Sequence, residues 1–224
     1  MSLLKPLTAG LGAVTLCVGV AAASFAAPPE GAKPLADEAT ATSDWKVTSG
    51  ALSVLPGGQW WTDSPVFRVV SQDRFQYANV ATTVKATINE FKTSAETPAV
   101  AWDGVHLFLR YKSQYSLYYA TVARRDGEVV LKKKCEGGPS NGGTYYTLAT
   151  GSAPVKPGQE FTATAAVTDT QGGVKLSLDV NGEHLEAVDT GTGCATITGP
   201  GRVGVRADNV DVTVTQFAVK PEGC

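Results

Sequence analysis

The sequence has no cluster of basic residues that dominates its charge. Nineteen lysines and arginines stand against 21 aspartates and glutamates, which gives a formal net charge of −2. Neutralising the phosphates of a nucleic acid requires lysine and arginine side chains that are clustered on one surface. The charge pattern therefore argues against nucleic-acid binding as the main function.

A sustained helical period is also missing, and so is any internal repeat, which disfavours a β-propeller. The chain has 24 glycines and one methionine, a composition that favours many turns and few helices. From residue 77 onward, short segments rich in β-branched residues follow one another, separated by turn residues. Ten or more short strands without alternating helices predict an all-β sandwich of two packed antiparallel sheets.

Turn signals mark two of the hairpins. Apolar and polar side chains alternate over residues 174–180, and Asn181-Gly182 follows, a pair that suits a type I′ turn. Asp126-Gly127 marks a second hairpin. Residues 199–219 predict two closing strands joined by a tight turn at 207–209, with a β-bulge near Gln216, where the apolar alternation changes parity.

The N-terminus predicts export. Residues 1–26 are predicted to form a signal peptide, with a weakly basic start at Lys5, an apolar run, and small residues at Ser24 and Ala26 that suit cleavage after Ala26. A retained membrane anchor is the alternative. The exported protein is predicted to be secreted or associated with the cell envelope, without membrane contact after cleavage.

Two further segments follow the predicted cleavage site. Residues 27–43 are rich in alanine, proline, threonine and acidic residues without periodicity, which predicts a disordered linker. Residues 44–224 are then predicted to form a single folded domain, long enough to bury a substantial core.

Cysteine usage predicts one disulfide bond. Cys17 lies in the predicted signal peptide, so the exported chain keeps Cys135, Cys194 and Cys224, an odd number. We favour a bond between Cys135 and Cys194, because both lie inside the folded region, with Cys224 as an alternative partner of either. A bond across this 59-residue separation stabilises by about 3–4 kcal/mol in the chain-entropy model.

The order of several segments resembles that of a known superfamily. The segments are Trp45, residues 104–111, residues 118–127, residues 180–182 and residues 201–209. Together they are similar to the concanavalin A-like lectin/glucanase superfamily, in a laminin-G-like form of secreted actinobacterial type. The resemblance covers roughly residues 44–219.

The resemblance implies a jelly-roll β-sandwich whose concave sheet carries a sugar site. The superfamily contains lectins, laminin-G-like modules, carbohydrate-binding modules, glycoside hydrolases and polysaccharide lyases. A polysaccharide or glycan is therefore the implied partner, whereas the fold alone does not select an activity.

A catalytic function would require particular residues, and the sequence can be searched for them. The retaining glucanases of the superfamily use a strand with the motif Glu-x-Asp-x-x-Glu, which this sequence lacks, so hydrolysis by that route is disfavoured. A lyase needs a cation to neutralise a uronate, a base and an acid. On the predicted strand 100–112, His106 and Arg110 share a face, and Tyr119 lies nearby in sequence. The characteristic lyase strings are absent, and an ordinary exposed histidine with a cross-strand ion pair is the alternative.

Aromatic residues offer a site for binding without catalysis. Trp60, Trp61 and Trp102 are candidate sugar contacts, together with Tyr118 and Arg206. Because adjacent residues of a strand point to opposite faces, one of Trp60 and Trp61 is expected in the core and the other at the sugar.

Two polar clusters have both a functional and a structural interpretation. Asp208 and Asn209 offer oxygen ligands for calcium, although both residue types also favour turns for conformational reasons. Residues 132–134 are three consecutive lysines, interpreted as a solvated guard at a sheet edge or as a contact to an anionic polysaccharide.

Three functional hypotheses follow, in order of preference. The first is a secreted, non-catalytic, lectin-like carbohydrate-binding protein. The second is a polysaccharide-active enzyme, a lyase before a hydrolase. The third is a structural or interaction protein of the cell envelope that uses the sandwich as a scaffold.

Overall fold

The computed structural model describes residues 33–35 and 44–222, and these residues form fifteen strands and one short 3₁₀ turn, Pro56–Gly58. The strands are β1 (Lys33–Leu35), β2 (Trp45–Ser49), β3 (Leu52–Val54), β4 (Trp60–Thr62), β5 (Val66–Ser71), β6 (Val80–Phe91), β7 (Gly104–Ser113), β8 (Ser116–Val122), β9 (Glu128–Glu136), β10 (Gly143–Ser152), β11 (Glu160–Thr170), β12 (Gly173–Val180), β13 (Glu183–Asp189), β14 (Arg202–Asp208) and β15 (Val210–Pro221).

The strands form two sheets. One has the order β1-β3-β4-β15-β6-β11-β12-β13, and the other has the order β10-β9-β8-β7-β14-β5-β2. Paired strands run antiparallel throughout the described chain. The core lies between the sheets and includes Val84, Ala163, Leu176, Leu107, Ala120 and Val205. The predicted all-β sandwich is confirmed.

The predicted turns and bulge are found where the sequence placed them. Asn181 and Gly182 have φ angles of 50° and 95° between β12 and β13, as a type I′ turn requires. The β8–β9 hairpin turns at Asp126-Gly127, where Gly127 has a φ of 76°. In the pairing of β15 with β6 the register shifts between Val214 and Gln216, which confirms the predicted bulge.

The turn predicted at residues 207–209 does more than reverse the chain. It carries the chain from β14 in one sheet to β15 in the other. Asn209 adopts the left-handed conformation there, with a φ of 50°. Its backbone N–H donates to the Pro65 carbonyl (2.9 Å), and its Nδ2 donates to the Asp103 carboxylate (3.0 Å). Asn209 therefore anchors the crossing between the sheets.

The structure describes only part of the N-terminal region for which the sequence makes predictions. Residues 33–35, inside the predicted disordered linker, form β1 and pair with β3. The predicted signal peptide, the rest of the linker, Cys17 and Cys224 lie outside the described residues. In the part of the chain that is described, no helix has the length and apolar character needed to cross a membrane.

The lysines at 132–134 do not guard an edge, because β9 lies between β10 and β8. Lys133 is fully buried, faces the core and forms an ion pair with Asp189 (2.8 Å). The Nζ atom of Lys134 lies over the Tyr145 ring, 4.7 Å from its centroid. The edge-guard prediction is wrong because β9 is an interior strand of its sheet. Strand alternation sends Lys133 inward, where a buried carboxylate compensates its charge.

The disulfide bond predicted between Cys135 and Cys194 is confirmed. It ties β9 to residues 190–201, the connection between β13 and β14. Buried cations hold the same connection, since Lys133 donates to the Cys194 carbonyl (2.6 Å) and Arg110 donates to the Ile197 carbonyl (2.9 Å). One end of the sandwich is thereby closed by covalent and polar contacts.

Candidate functional site

A groove with a volume of about 420 Å³ lies on the outer face of the seven-stranded sheet. Its floor is an apolar cluster that is separate from the main core and is contributed by β5, β7 and β8. The cluster consists of Val70, Phe108, Tyr111, Leu117 and Tyr119. Apolar side chains on the outer face of a sheet, enclosed by polar ones, are typical of ligand sites.

The sheet register arranges the floor in rows across the strands. One row passes from Val70 on β5 through Gly204 and Phe108 to Tyr119, and ends at Lys132 on β9. Gly204 presents no side chain in this row. A Cβ atom there would lie 2.2 Å from the Val69 carbonyl oxygen, so the close approach of β14 to β5 requires glycine.

The neighbouring row is polar. It passes from Arg68 on β5 through Arg206 and His106 to Thr121 on β8, each residue pairing with the next. The groove therefore presents a polar row beside an apolar row, an arrangement that suits a ligand with both kinds of surface.

His106 occupies the centre of the polar row and is only 5% exposed. Its Nε2 atom lies 3.0 Å from Asp208 Oδ2, without the alignment of a full hydrogen bond. Its ring packs edge-on against Tyr119, with centroids 5.9 Å apart. Burial lowers the pKa of His106, although Asp208 acts in the opposite direction, so the ring is neutral at pH 7.

Three polar atoms of the polar row have no hydrogen-bond partner among the described residues, namely Nδ1 and Nε2 of His106 and Oγ1 of Thr121. Thr121 is 2% exposed and stands directly across from His106. A buried polar group without a partner costs about 1–3 kcal/mol, and native proteins contain few of them. Because these atoms are also closed to solvent, they lie beneath the surface of the groove and are not open to a ligand in this conformation.

Asp208 is held between two cations or potential cations. Arg206 Nε donates to both of its carboxylate oxygens, at 2.9 and 2.8 Å, and His106 contacts Oδ2. Burial alone would raise the pKa of Asp208, but the contacts with His106 and Arg206 outweigh it and lower the pKa. Asp208 is thus a buried anion that fixes the positions of Arg206 and His106.

The contacts of Asp208 and Asn209 do not fit a calcium ion, which takes six to eight oxygen ligands. The Asp208 carboxylate faces Arg206 and His106, and the Asn209 amide is bonded to Asp103. No group of three or more acidic, histidine or cysteine side chains that suits a metal occurs among residues 44–222. Calcium is therefore not part of the function proposed below.

Two exposed aromatic rings stand at the rim of the groove. Trp102, in the turn before β7, is 55% exposed, and Tyr145, on β10, is 37% exposed. The Tyr145 ring packs edge-on against Tyr119 on the floor (5.5 Å). Tyr145 is not among the sequence-predicted contacts, although the adjacent tyrosines at 145 and 146 carry the same signal as the adjacent tryptophans at 60 and 61.

Arg110 does not share a face with His106, contrary to the sequence prediction. A β-bulge interrupts β7, with a φ of 46° at Arg110 and register shifts against both neighbouring strands. The bulge turns Arg110 inward, where it is fully buried, donates to the Ala78 carbonyl (2.7 Å) and pairs with Asp169 (2.8 Å). The same shift turns Tyr111 outward into the groove.

Three other predicted contacts also lie outside the groove. Tyr118 faces the core, where its hydroxyl donates to Asp189 and accepts from the Ile197 N–H. Trp60 packs against Trp45 and Phe217, and Trp61 is buried with its Nε1 donating to Asp211 (2.8 Å). Neither of the two adjacent tryptophans lines the groove, and both pack against protein.

The predicted residues that the fold does bring together are His106, Trp102, Tyr119, Arg206 and Asp208. The groove also contains residues that the sequence predictions did not include as site residues. These are Arg68, Phe108, Tyr111, Thr121, Arg124 and Tyr145.

Acidification below pH 6.5 is expected to lower the free energy of unfolding, with a slope of at most about 1.4 kcal/mol per pH unit from His106. Because burial lowers the pKa of folded His106 from 6.5, the unfolded chain binds the proton more readily. His106→Gln should flatten the dependence between pH 7 and pH 5 in urea titrations.

The exposed His184, whose pKa Asp179 raises, acts in the opposite direction and should be removed in both proteins by His184→Gln. The groups facing His106 are Asp208, Arg206, Arg124 and Tyr119. An unchanged pH slope in the His106→Gln protein would show that His106 is not the titrating group.

Comparisons with known proteins bear on the fold. No protein-family model matches the sequence, and no curated protein sequence matches it. Among solved structures, a carbohydrate-binding module, CBM66, from Bacillus subtilis is similar, with a TM-score of 0.57 and 13% identity over 79% of this chain and 95% of that one.

Two further solved structures are similar over comparable lengths. The exoplasmic/lumenal domain of VIP36, in its form bound to Ca²⁺ and Man3GlcNAc, has a TM-score of 0.52 at 10% identity and covers 87% of this chain and 92% of its own. A legume lectin-like domain from Entamoeba histolytica has a TM-score of 0.51 at 10% identity, with coverages of 80% and 91%. The chain thus has a concanavalin A-like jelly-roll fold.

Proposed function

We propose that the protein binds a glycan or polysaccharide, without catalysis, in the groove on the outer face of the seven-stranded sheet. The observation that carries this proposal is the combination, in one groove, of an apolar row, a polar row and two exposed aromatic rings at the rim, Trp102 and Tyr145. A sugar ring offers hydroxyl groups and an apolar face, and so complements both rows.

The rim supports the same function. Trp102 and Tyr145 present exposed aromatic rings, which contribute a large contact area at low conformational cost. Exposed aromatic rings beside a polar floor suit stacking against the apolar face of a pyranose. The similar solved structures include a carbohydrate-binding module, a domain bound to Man3GlcNAc and a legume lectin-like domain, which is consistent with this use of the fold.

The contacts favour binding over lyase chemistry. Both ring nitrogens of His106 are inaccessible to solvent, and Arg110 lies inside the sandwich. Burial raises the pKa of Tyr119, so its anionic form, the one able to remove a proton, is disfavoured. A cell-envelope scaffold remains the outcome to expect if no glycan binds.

We also propose that the protein acts outside the cytoplasm. The Cys135–Cys194 disulfide bond is compatible with an extracellular protein, since such bonds persist in oxidising compartments. The signal peptide predicted at residues 1–26 would supply the export.

Tyr145→Ala is expected to weaken glycan binding by roughly 3- to 10-fold, because it removes one stacking ring from the rim. Tyr145 is 37% exposed, so the free energy of unfolding should change little. Affinity would be measured by titration calorimetry on a ligand found with a glycan array, and stability by urea denaturation.

Trp102→Ala should weaken the same binding through loss of stacking, and Val188→Ala serves as the control. Val188 is an exposed apolar residue on β13 of the other sheet. Equal affinities for the wild type, Tyr145→Ala and Trp102→Ala would place the binding site elsewhere. If the wild type binds no glycan on the array, the scaffold hypothesis is favoured instead.

A further inference from the structure

The charge of the groove differs in sign from that of the chain. Four cationic side chains line it, Arg68, Arg124, Lys132 and Arg206, against one carboxylate, Asp208. The whole chain carries a formal net charge of −2. The excess of cations is therefore local to the groove, and it points to a ligand with negative charge.

The four cations differ in the ion pairs and hydrogen bonds that they form with other groups of the protein. Arg206 is paired with Asp208. Arg124 contacts Asp126 and lies 3.3 Å from the Glu128 carboxylate. Arg68 donates through Nε to the Thr48 hydroxyl (2.6 Å) and through a terminal nitrogen to Gln114.

Among residues 44–222, Arg68 and Lys132 are the two groove cations without an ion pair. Arg68 is hydrogen-bonded to Thr48 and Gln114, whereas the Lys132 ammonium group has no hydrogen-bond partner there. Lys132 is half-buried at the end of the apolar row. Burial lowers its pKa, and the positive charge of Arg124 lowers it further, while Glu128 and Asp126 act in the opposite direction. An anion beside Lys132 would offset both unfavourable effects.

The position of Lys132 puts this charge next to the sugar-binding surface. Lys132 pairs across the sheet with Tyr119, the ring that contacts both His106 and Tyr145. A charged substituent of a sugar lying over Tyr119 would therefore be within reach of the Lys132 ammonium group. Such a contact would be a charge-assisted hydrogen bond, which is stronger than a neutral one.

We infer that the groove takes an acidic glycan, one whose sugars carry carboxylate or sulfate groups, and that Lys132 binds the acidic group. The inference rests on the proposed function and narrows its ligand class. Arg124 adds to the local positive potential, whereas Arg206 is committed to Asp208. Lys132 thus determines the preference for acidic over neutral sugars.

The test compares three polymers on the full protein: a polyuronate, its carboxyl-reduced neutral counterpart, and a sulfated derivative of that neutral polymer. The wild type should bind at least one acidic polymer at least about tenfold more tightly than the neutral one, and the affinity should fall as salt is raised. The two acidic polymers distinguish carboxylate from sulfate as the recognised group.

Lys132→Gln should weaken acidic-polymer binding by at least about tenfold, the loss expected for one charge-assisted hydrogen bond, and should leave neutral-polymer binding within about threefold. Lys132→Arg keeps the charge and should retain most of the preference. Lys85→Gln is the matched control, because it removes one exposed lysine from the other sheet. Thermal unfolding of each variant reports whether it is folded.

The outcomes separate the two proposals. Equal binding of neutral and acidic polymers, or an unchanged preference in a folded Lys132→Gln protein, would overturn the inference and leave glycan binding intact. Loss of neutral and acidic binding together in folded Lys132→Gln would also overturn it, since Lys132 would then not act through charge. Failure of the wild type to bind any glycan would overturn the proposed function and the inference with it.

Discussion

Asp189→Ala is expected to reduce the free energy of unfolding by about 3–5 kcal/mol, the loss typical of breaking a buried ion pair on one side. Asp189 is fully buried between the sheets and pairs with Lys133, which is fully buried as well (2.8 Å). It also accepts hydrogen bonds from the Tyr118 hydroxyl and from the backbone N–H groups of Gly191 and Thr192. Its removal leaves a buried ammonium group without compensation.

A comparison of single and double variants identifies the cause. Lys133→Met with Asp189→Asn removes both charges while keeping similar volumes, and should recover part of the loss that Asp189→Ala causes. Urea denaturation at pH 7 measures all three proteins. If the double variant is no more stable than Asp189→Ala, the uncompensated charge is not the source of the loss.

The pH dependence of this carboxylate has a definite sign. Burial would raise the pKa of Asp189, but the hydrogen bonds from Lys133 and Tyr118 outweigh it, and the pKa lies below 3.8. The folded protein therefore holds the proton less tightly than the unfolded chain. The stabilisation is present above pH 3.8 and is lost as the pH falls through the folded pKa.

Local signals in the sequence predicted the parts of the fold that depend on local chemistry. The alternation over residues 174–180 identified β12, and Asn181-Gly182 identified its turn because few other residues adopt positive φ in succession. The parity change near Gln216 identified a bulge. In each case, the residues that carry the sequence signal are the same residues that adopt the strand, turn or bulge.

The bulge at Arg110 carried no such signal. No glycine or asparagine marks it, and the arginine takes a φ of 46° because its side chain is bound inside by Ala78, Ile197 and Asp169. Those partners are distant in sequence. A strict alternation therefore assigned Arg110 and Tyr111 to the wrong faces, and the predicted lyase set failed at that step.

The groove was predicted in part for a similar reason. Alternation placed His106 and Phe108 on one face of β7, whereas their pairing with Arg206, Thr121 and Tyr119 depends on long-range register. The adjacent tryptophans at 60 and 61 are both packed against protein, because the outer face of β4 is covered as well. Which faces remain open is decided by the whole sandwich.

Loss of the disulfide bond, in a Cys135→Ser and Cys194→Ser double variant, is expected to lower the free energy of unfolding by about 3–4 kcal/mol. The bond closes a 59-residue separation, so its removal restores much freedom to the unfolded chain. Urea denaturation with and without reductant measures the effect, since reduction of the wild type should reproduce the variant. Cys224→Ser is the control and should leave stability unchanged, because Cys224 is not a member of the bond.

The disulfide bond and the Lys133–Asp189 pair should not act independently. Lys133 donates to the carbonyl of Cys194, and Asp189 caps the N–H groups of residues 191 and 192, so both anchor the connection between β13 and β14. Once one anchor is lost, the connection is already loosened, and the second substitution has less to remove. The variant lacking the bond and Asp189 should therefore lose at least about 1 kcal/mol less than the sum of the separate losses. Additive losses would show that the two anchors hold the sandwich separately.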